Sequence, residues 1–163
     1  MCLNIFAREY WYALKPNIFQ SQRSVECKHV FWMNVKFQTC STKLECMNLV
    51  SNTQKHNIFY QKIRDIRYNF VIGGDGCVYE GRGWTTAPLL PKQFDELSKE
   101  SLLIGFLGFY TIDVLPEQMK EAANRLMKNG VMGNFISENY EFHDILKDLK
   151  KTDGQGNDPQ QTS

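Results

Sequence analysis

Two features of this 163-residue chain could do chemistry: a glycine-rich stretch holding one acid, residues 69–84 (NFVIGGDGCVYEGRGW), and a set of three histidines and five cysteines. The stretch first suggests a phosphate cradle. A P-loop needs a glycine, four residues, then Gly-Lys-Ser or Gly-Lys-Thr opening a helix, and here Gly76 and Gly81 are followed by Arg82 and Gly83. A dinucleotide fingerprint needs a third glycine where Tyr79 stands. Both fail, and a hairpin remains. Tyr68, Phe70 and Ile72 alternate with Asn69 and Val71, Gly73-Gly74-Asp75-Gly76 supplies positive-φ positions, and Val78-Tyr79-Glu80 resumes an extended run. Gly81-Arg82-Gly83-Trp84 then ends the second strand in a tight loop. His29, His56 and His143 are scattered, with no thiolate at a fitting spacing, so they read as exposed or internally satisfied imidazoles and not as a metal site.

The cysteines say less. In TCSTKLEC, Thr42 with Glu45 three residues on makes a capping box, which starts a helix just after Cys40 and places Cys46 in its first turns. A disulfide between the two would staple a loop to that helix; two free core thiols fit the spacing equally, since the redox compartment decides. Cys2, Cys27 and Cys77 are an odd remainder without a readable partner.

Regular elements must position these residues. Residues 30–37 (VFWMNVKF) read as a strand with Phe31, Met33, Val35 and Phe37 on one face and Trp32, Asn34 and Lys36 on the other. A helix follows over 43–59, then the hairpin, then a proline-bearing loop. SLLIGFLGFYTI, 101–112, reads as a buried central strand, too short to cross a bilayer core of about 30 Å. In LPEQMKEAANRLMKNG, Pro116 suits a first helical turn, Met119, Ala122, Ala123, Leu126 and Met127 form one stripe to pack on the sheet, and Gly130 is a natural stop. Interleaved strands and helices predict an α/β layer structure: a mixed central sheet flanked by helices, in one domain over 1–150. Residues 151–163, polar and free of aromatics, read as a disordered tail, and Lys147 to Lys151 as a solvated face. Trp11, Trp32 and Trp84 read as core or rim aromatics.

The 19 basic and 18 acidic residues nearly cancel, to a net charge of +1, and no basic run appears. Neither nucleic acid nor an anionic membrane surface has an electrostatic claim on the chain. The first sixteen residues carry no secretory signal pattern, and there is no membrane anchor, so any membrane attachment would need a segment absent from this chain.

Taken together, YNFVIGGDGCVYEGRGW, REYW at 8–11, CSTKLEC at 40–46, SLLIGFLGFYT at 101–111 and LPEQMKEAANRLMKNGV at 115–131 resemble the peptidoglycan recognition proteins. These are relatives of the zinc amidases that cut between N-acetylmuramic acid and L-alanine. The blocks keep the family's order over roughly residues 5 to 150. The resemblance implies the zinc-amidase-like fold and a short disulfide joining Cys40 and Cys46. It also implies a place in innate immunity, in an exported domain or the ectodomain of a single-pass membrane receptor. With no signal or anchor present, an intracellular form stays open.

The resemblance also says what is missing. Amidases of this kind hold zinc with two imidazoles and a thiolate, leave one position for water, and use a tyrosine against the carbonyl oxygen. Met33-Asn34-Val35 stands at the first histidine. Ile145 or a neighbour stands at the second, and Asp153 or Gly154 at the cysteine. Tyr68 alone matches, so we expect no catalytic residue, no metal and no cofactor. The groove is altered too: Asn57 replaces a histidine, Lys62-Ile63 occupies the pair that sorts diaminopimelate from lysine, and Ala87-Pro88-Leu89-Leu90 lacks the arginine for the diaminopimelate carboxylate. The expectation is a non-catalytic regulator or co-receptor, resembling the membrane-associated long forms. It would work through other peptidoglycan recognition domains or signalling proteins. The alternative is a receptor that still binds peptidoglycan fragments through Tyr68 and Asp95; an active amidase is the third reading.

Overall fold

The computed structural model describes residues 4–16, 22–23, 26–35 and 38–148. In chain order the strands and helices are β1 (Ile5–Phe6), β2 (Cys27–Val35), α1 (Lys43–Phe59), β3 (Phe70–Ile72), β4 (Val78–Glu80), β5 (Ser101–Leu107), α2 (Glu117–Met132) and β6 (Ile136–Asp144). Short 3-10 turns cover Arg8–Trp11, Lys92–Glu100 and Leu146–Asp148. One mixed sheet runs β1-β4-β3-β5-β2-β6, with only β3 and β4 antiparallel.

Residues that alternate along the strands feed two cores. Val30, Trp32, Phe70, Ile72, Leu102, Ile104 and Phe106 pack with Met119, Ala122, Ala123, Leu126 and Met127 of α2. Phe31, Met33, Val35, Val71, Leu103 and Leu107 pack with Cys46 and Val50 of α1 on the other face. The expected two-faced strand and the α2 stripe are both present. β5 lies between β3 and β2, central as predicted, but ends at Leu107; Gly108 then takes φ 138°, closed to an L side chain, and the chain leaves the sheet.

The capping box forms as read: Thr42 Oγ1 accepts from Glu45 N at 3.2 Å, and Glu45 Oε1 accepts from Thr42 N at 3.2 Å and Ser41 N at 2.9 Å. These bonds hold the Glu45 carboxyl below its usual range, the Ser41 amide most of all. Cys40 and Cys46 are disulfide-bonded, their Cα atoms 5.2 Å apart. Cys77 is disulfide-bonded as well, a pairing its spacing did not reveal, and Cys27 is a buried free thiol.

Three expectations change. Gly130 does not stop α2, which runs on to Met132. A Cβ at Gly130 would lie 2.5 Å from Ile136 and 2.7 Å from Trp84, so the glycine makes room for the close approach of these side chains to the helix. In the hairpin turn Gly76 takes positive φ (78°), the only one of its three glycines to do so, and in the loop after β4 Gly83 does (79°). Strand β6, on the sheet's edge, had only a broken apolar alternation to announce it: Ile136, Tyr140 and Phe142, interrupted by Glu138. The expectations for Lys36 and Phe37, and for the tail at 151–163, fall outside the described residues.

Candidate functional site

The site expected from the resemblance lies at the C-terminal ends of β2 and β5, on the α1 face. Met33 pairs with Gly105 in the parallel register. A Cβ on Gly105 would fall 2.7 Å from both Tyr68 Cδ1 and Val35 Cγ2, so the tyrosine ring occupies the space that the glycine leaves open. Met33, Tyr68 and Ile145 are 8%, 5% and 6% exposed and belong to one apolar cluster with Val35 and Leu107. Burial raises the Tyr68 phenol, and Arg67 offsets this in part.

Asn34 points to the other side of the strand and is occupied by backbone. Its Nδ2 donates to Tyr110 O at 2.7 Å and Leu146 O at 3.2 Å, and its Oδ1 accepts from Tyr110 N at 3.0 Å. The amide therefore ties β2 to the segment after β5 and to the turn after β6. Neither a thioether nor an amide in these settings fits zinc with oxygen chemistry, and Ile145 offers no donor atom. Among the described residues, those at the ligand positions do not fit the amidase metal. Asp153 and Gly154 lie outside the described residues.

The groove positions are filled in a similar way. Asn57 is buried; its Nδ2 donates to Gln61 Oε1 at 2.7 Å and its Oδ1 accepts from Arg67 N at 3.1 Å. Lys62 adopts φ 59°, a left-handed turn, and Ile63 N donates to Asn57 O. Ala87, Pro88 and Leu90 are buried, with Leu90 in the α1-side core. The nearby guanidiniums are engaged: Arg82 donates to Ile66 O at 2.6 Å and Ala87 O at 3.0 Å, with burial pushing it down to about 10, and Arg67 donates to Leu89 O. Asp95 is exposed on the turn before β5, whereas Tyr68 is buried beneath the groove.

The acid between the glycines is structural. Asp75 accepts from Cys77 N at 3.0 Å and from the Tyr79 hydroxyl, and so closes the hairpin turn. Asn69 clamps the loop beyond: its Nδ2 donates to Gly83 O and Thr86 O, and its Oδ1 accepts from Leu103 N. Arg8 makes a two-pronged pair with the fully buried Asp65, at 2.9 and 3.0 Å, and Gln54 donates to the same carboxylate.

The histidines are not all scattered in space. His29 Nδ1 and His143 Nε2 lie 3.0 Å apart, and Glu141 Oε2 is 3.5 Å from that His143 nitrogen. His56 is elsewhere, stacked on Tyr60. Strand register joins His29 and His143 across 114 positions, and nothing in their spacing announces it.

A family model described as N-acetylmuramoyl-L-alanine amidase matches residues 31–161. The chain is 31% identical over 140 residues to peptidoglycan recognition protein 1 of Bos indicus, covering 86% of this chain and 72% of that protein. The fold superimposes on the ectodomain of the Drosophila transmembrane receptor PGRP-LCa with a TM-score of 0.80 at 27% identity, over 85% of this chain and 83% of that one. It also superimposes, with a TM-score of 0.83 at 25% identity over 93% and 89%, on a chain of the PGRP-LCa and PGRP-LCx ectodomain complex with tracheal cytotoxin bound.

Proposed function

This chain belongs to the peptidoglycan recognition protein family, and from that premise we propose that it is a non-catalytic member that serves bacterial cell-wall sensing through protein contacts. The observation that carries this reading is the packing of Met33, Tyr68 and Ile145 into one buried apolar cluster where an amidase needs ligands around a water. Tyr68 keeps the position of the family's tyrosine but has no metal-bound water to assist. Its phenol, raised by burial, stays neutral and packs over Gly105.

The contact reading draws on the rim. Phe59 and Tyr60, 56% and 79% exposed, stand at the C-terminal end of α1 beside Asn57 and the Lys62-Ile63 pair. Exposed rings beside that pair suit a partner protein better than a charged stem peptide, whose carboxylates would lack the arginine that the family offers where Ala87-Pro88-Leu89-Leu90 stands here. A relative's ectodomain forms a two-protein complex around tracheal cytotoxin, which supports another recognition domain as the partner class. The place in innate immunity and an exported or ectodomain setting come to this chain from the same relatives.

The test is calorimetric titration with diaminopimelate-type and lysine-type muropeptides, alongside stem-peptide release in the presence of zinc. No release and no muropeptide binding, with association to a second recognition domain, is the expected result. Release of peptide refutes the non-catalytic reading; micromolar muropeptide binding would instead favour the receptor reading, in which Tyr68 and Asp95 are the residues to substitute.

A further inference from the structure

We propose that His29, Glu141 and His143 form a zinc-binding site at the β2–β6 edge, separate from the position of the amidase metal. His29 and Glu141 are direct partners in the parallel register, and His143 pairs with Phe31 two residues along. Side chains two apart share a face of a strand, so all three project to the α1 side of the sheet. Met33 stands farther along β2 and Ile145 just past the end of β6, so the cluster sits two to four residues nearer the start of β2 than the amidase position.

The geometry is close to what zinc requires. Imidazole nitrogens and carboxylate oxygens bind zinc at about 2.0–2.2 Å, and a tetrahedral array then separates neighbouring donors by about 3.3–3.6 Å. Here the nitrogens are 3.0 Å apart, Glu141 Oε2 is 3.5 Å from His143 Nε2, and the three donor atoms all lie within 4.8 Å of one another. Small side-chain rotations close the set, and the Glu141 side chain, 67% exposed, is free to make them. The His143 ring is already held: it stacks on Phe31 with centroids 4.2 Å apart and an 8° interplanar angle. Such a platform fixes the direction of the ring nitrogen, as packing and outer-shell contacts do in metal sites.

The protonation of His143 agrees with this geometry. Burial of His143 and the nearby His29 favour its neutral form over the opposing pull of Glu141. Neutral imidazole is the form that binds metal. When both rings are neutral, a proton on either facing nitrogen moves to the outer nitrogen of its own ring as zinc enters, and none need be released. Two imidazoles and one carboxylate suit zinc and not magnesium or calcium, which prefer oxygen sets. Three protein ligands leave a fourth position for water or a donor atom from a bound partner. Zinc here would also tie the edge strand β6 to β2.

The test is calorimetric zinc titration of the chelator-treated full chain, with thermal unfolding in parallel. The expected result is one equivalent bound and a raised Tm, with no response to magnesium. His29→Ala and His143→Ala should each weaken binding by more than about 100-fold, beyond the 10- to 100-fold that loss of an outer-shell partner costs. Glu141→Gln should weaken it less, and His56→Ala not at all. Cobalt in place of zinc should give the visible absorption of a four-coordinate ion, abolished in His29→Ala. Because His143 also packs on Phe31, His29→Ala decides the matter if the His143 variant does not fold. No binding, or binding unchanged in His29→Ala, overturns the site. Neither result bears on muropeptide binding or peptide release, so this proposal and the non-catalytic reading fail separately.

Discussion

Asn34 stands where the resemblance places the strand that carries the first amidase ligand, and its side chain makes three hydrogen bonds to backbone. Asn34→Ala removes all three and leaves Tyr110 N, Tyr110 O and Leu146 O without these partners. At about 1 kcal/mol net per bond, the loss is about 3 kcal/mol. The asparagine itself is fully buried, so water reaches the vacated space only by opening the segment after β5. With a urea m-value of about 2 kcal/mol/M, the unfolding midpoint should fall by about 1.5 M. Asn34→Asp is the sharper test. It sets an acceptor against two carbonyls, so at pH 7 it should cost more than alanine. Its carboxyl pKa should rise in the folded state, so the folded chain holds the proton more tightly than the unfolded one. The pH-dependent part of the penalty is therefore absent below the unfolded value of about 3.9, grows as pH rises toward the folded value and levels off above it, while the one donor a protonated aspartate lacks costs the same at every pH. Urea unfolding of both variants at pH 4 and pH 7, each referred to the parent, measures this. A midpoint shift below about 0.3 M for alanine, or an aspartate variant milder than alanine at pH 7, would refute the reasoning.

Arg8→Ala removes the two-pronged guanidinium contact from the buried Asp65, which keeps its bonds from Gln54 and the Ile66 amide. It should cost about 3 kcal/mol, the lower end of the range for a broken buried pair, because Arg8 is 23% exposed. Arg8→Leu with Asp65→Asn should recover part of this in a double-mutant cycle. Replacing both Cys40 and Cys46 with alanine opens a loop with a sequence separation of 6 and should cost about 2 kcal/mol on the chain-entropy account, read as a lowered Tm. Cys27 is fully buried and its thiol is pushed up to about 11, so a disulfide reagent at pH 8 should label it at least about 100-fold more slowly than in the urea-unfolded chain. Comparable rates would mean that the β2 edge opens readily.

Legibility followed the range of the interactions. The Lys43–Phe59 helix was readable because its capping box spans four residues, and the hairpin because Asp75, Gly76 and the alternating strands act within a dozen. Gly130 misled because a glycine near a helix end reads as a stop, whereas here it makes room for Ile136 and Trp84, partners that local sequence does not name. Strand β6 escaped because it sits at the sheet's edge and leaves most of its side chains polar.

By itself the sequence determined the Lys43–Phe59 and Glu117–Met132 helices, the hairpin, the two-faced strand and, through its resemblance, the family and the Cys40–Cys46 bridge. These rest on short-range chemistry and on residue identity at matched positions. Only the tertiary structure decided how particular residues are used: Tyr68 packed over Gly105, Asn34 clamping two distant backbone segments and, elsewhere along β2, His29 meeting His143. Each needs strands far apart in sequence to be set in register. Sheet hydrogen bonding fixes that register and composition does not.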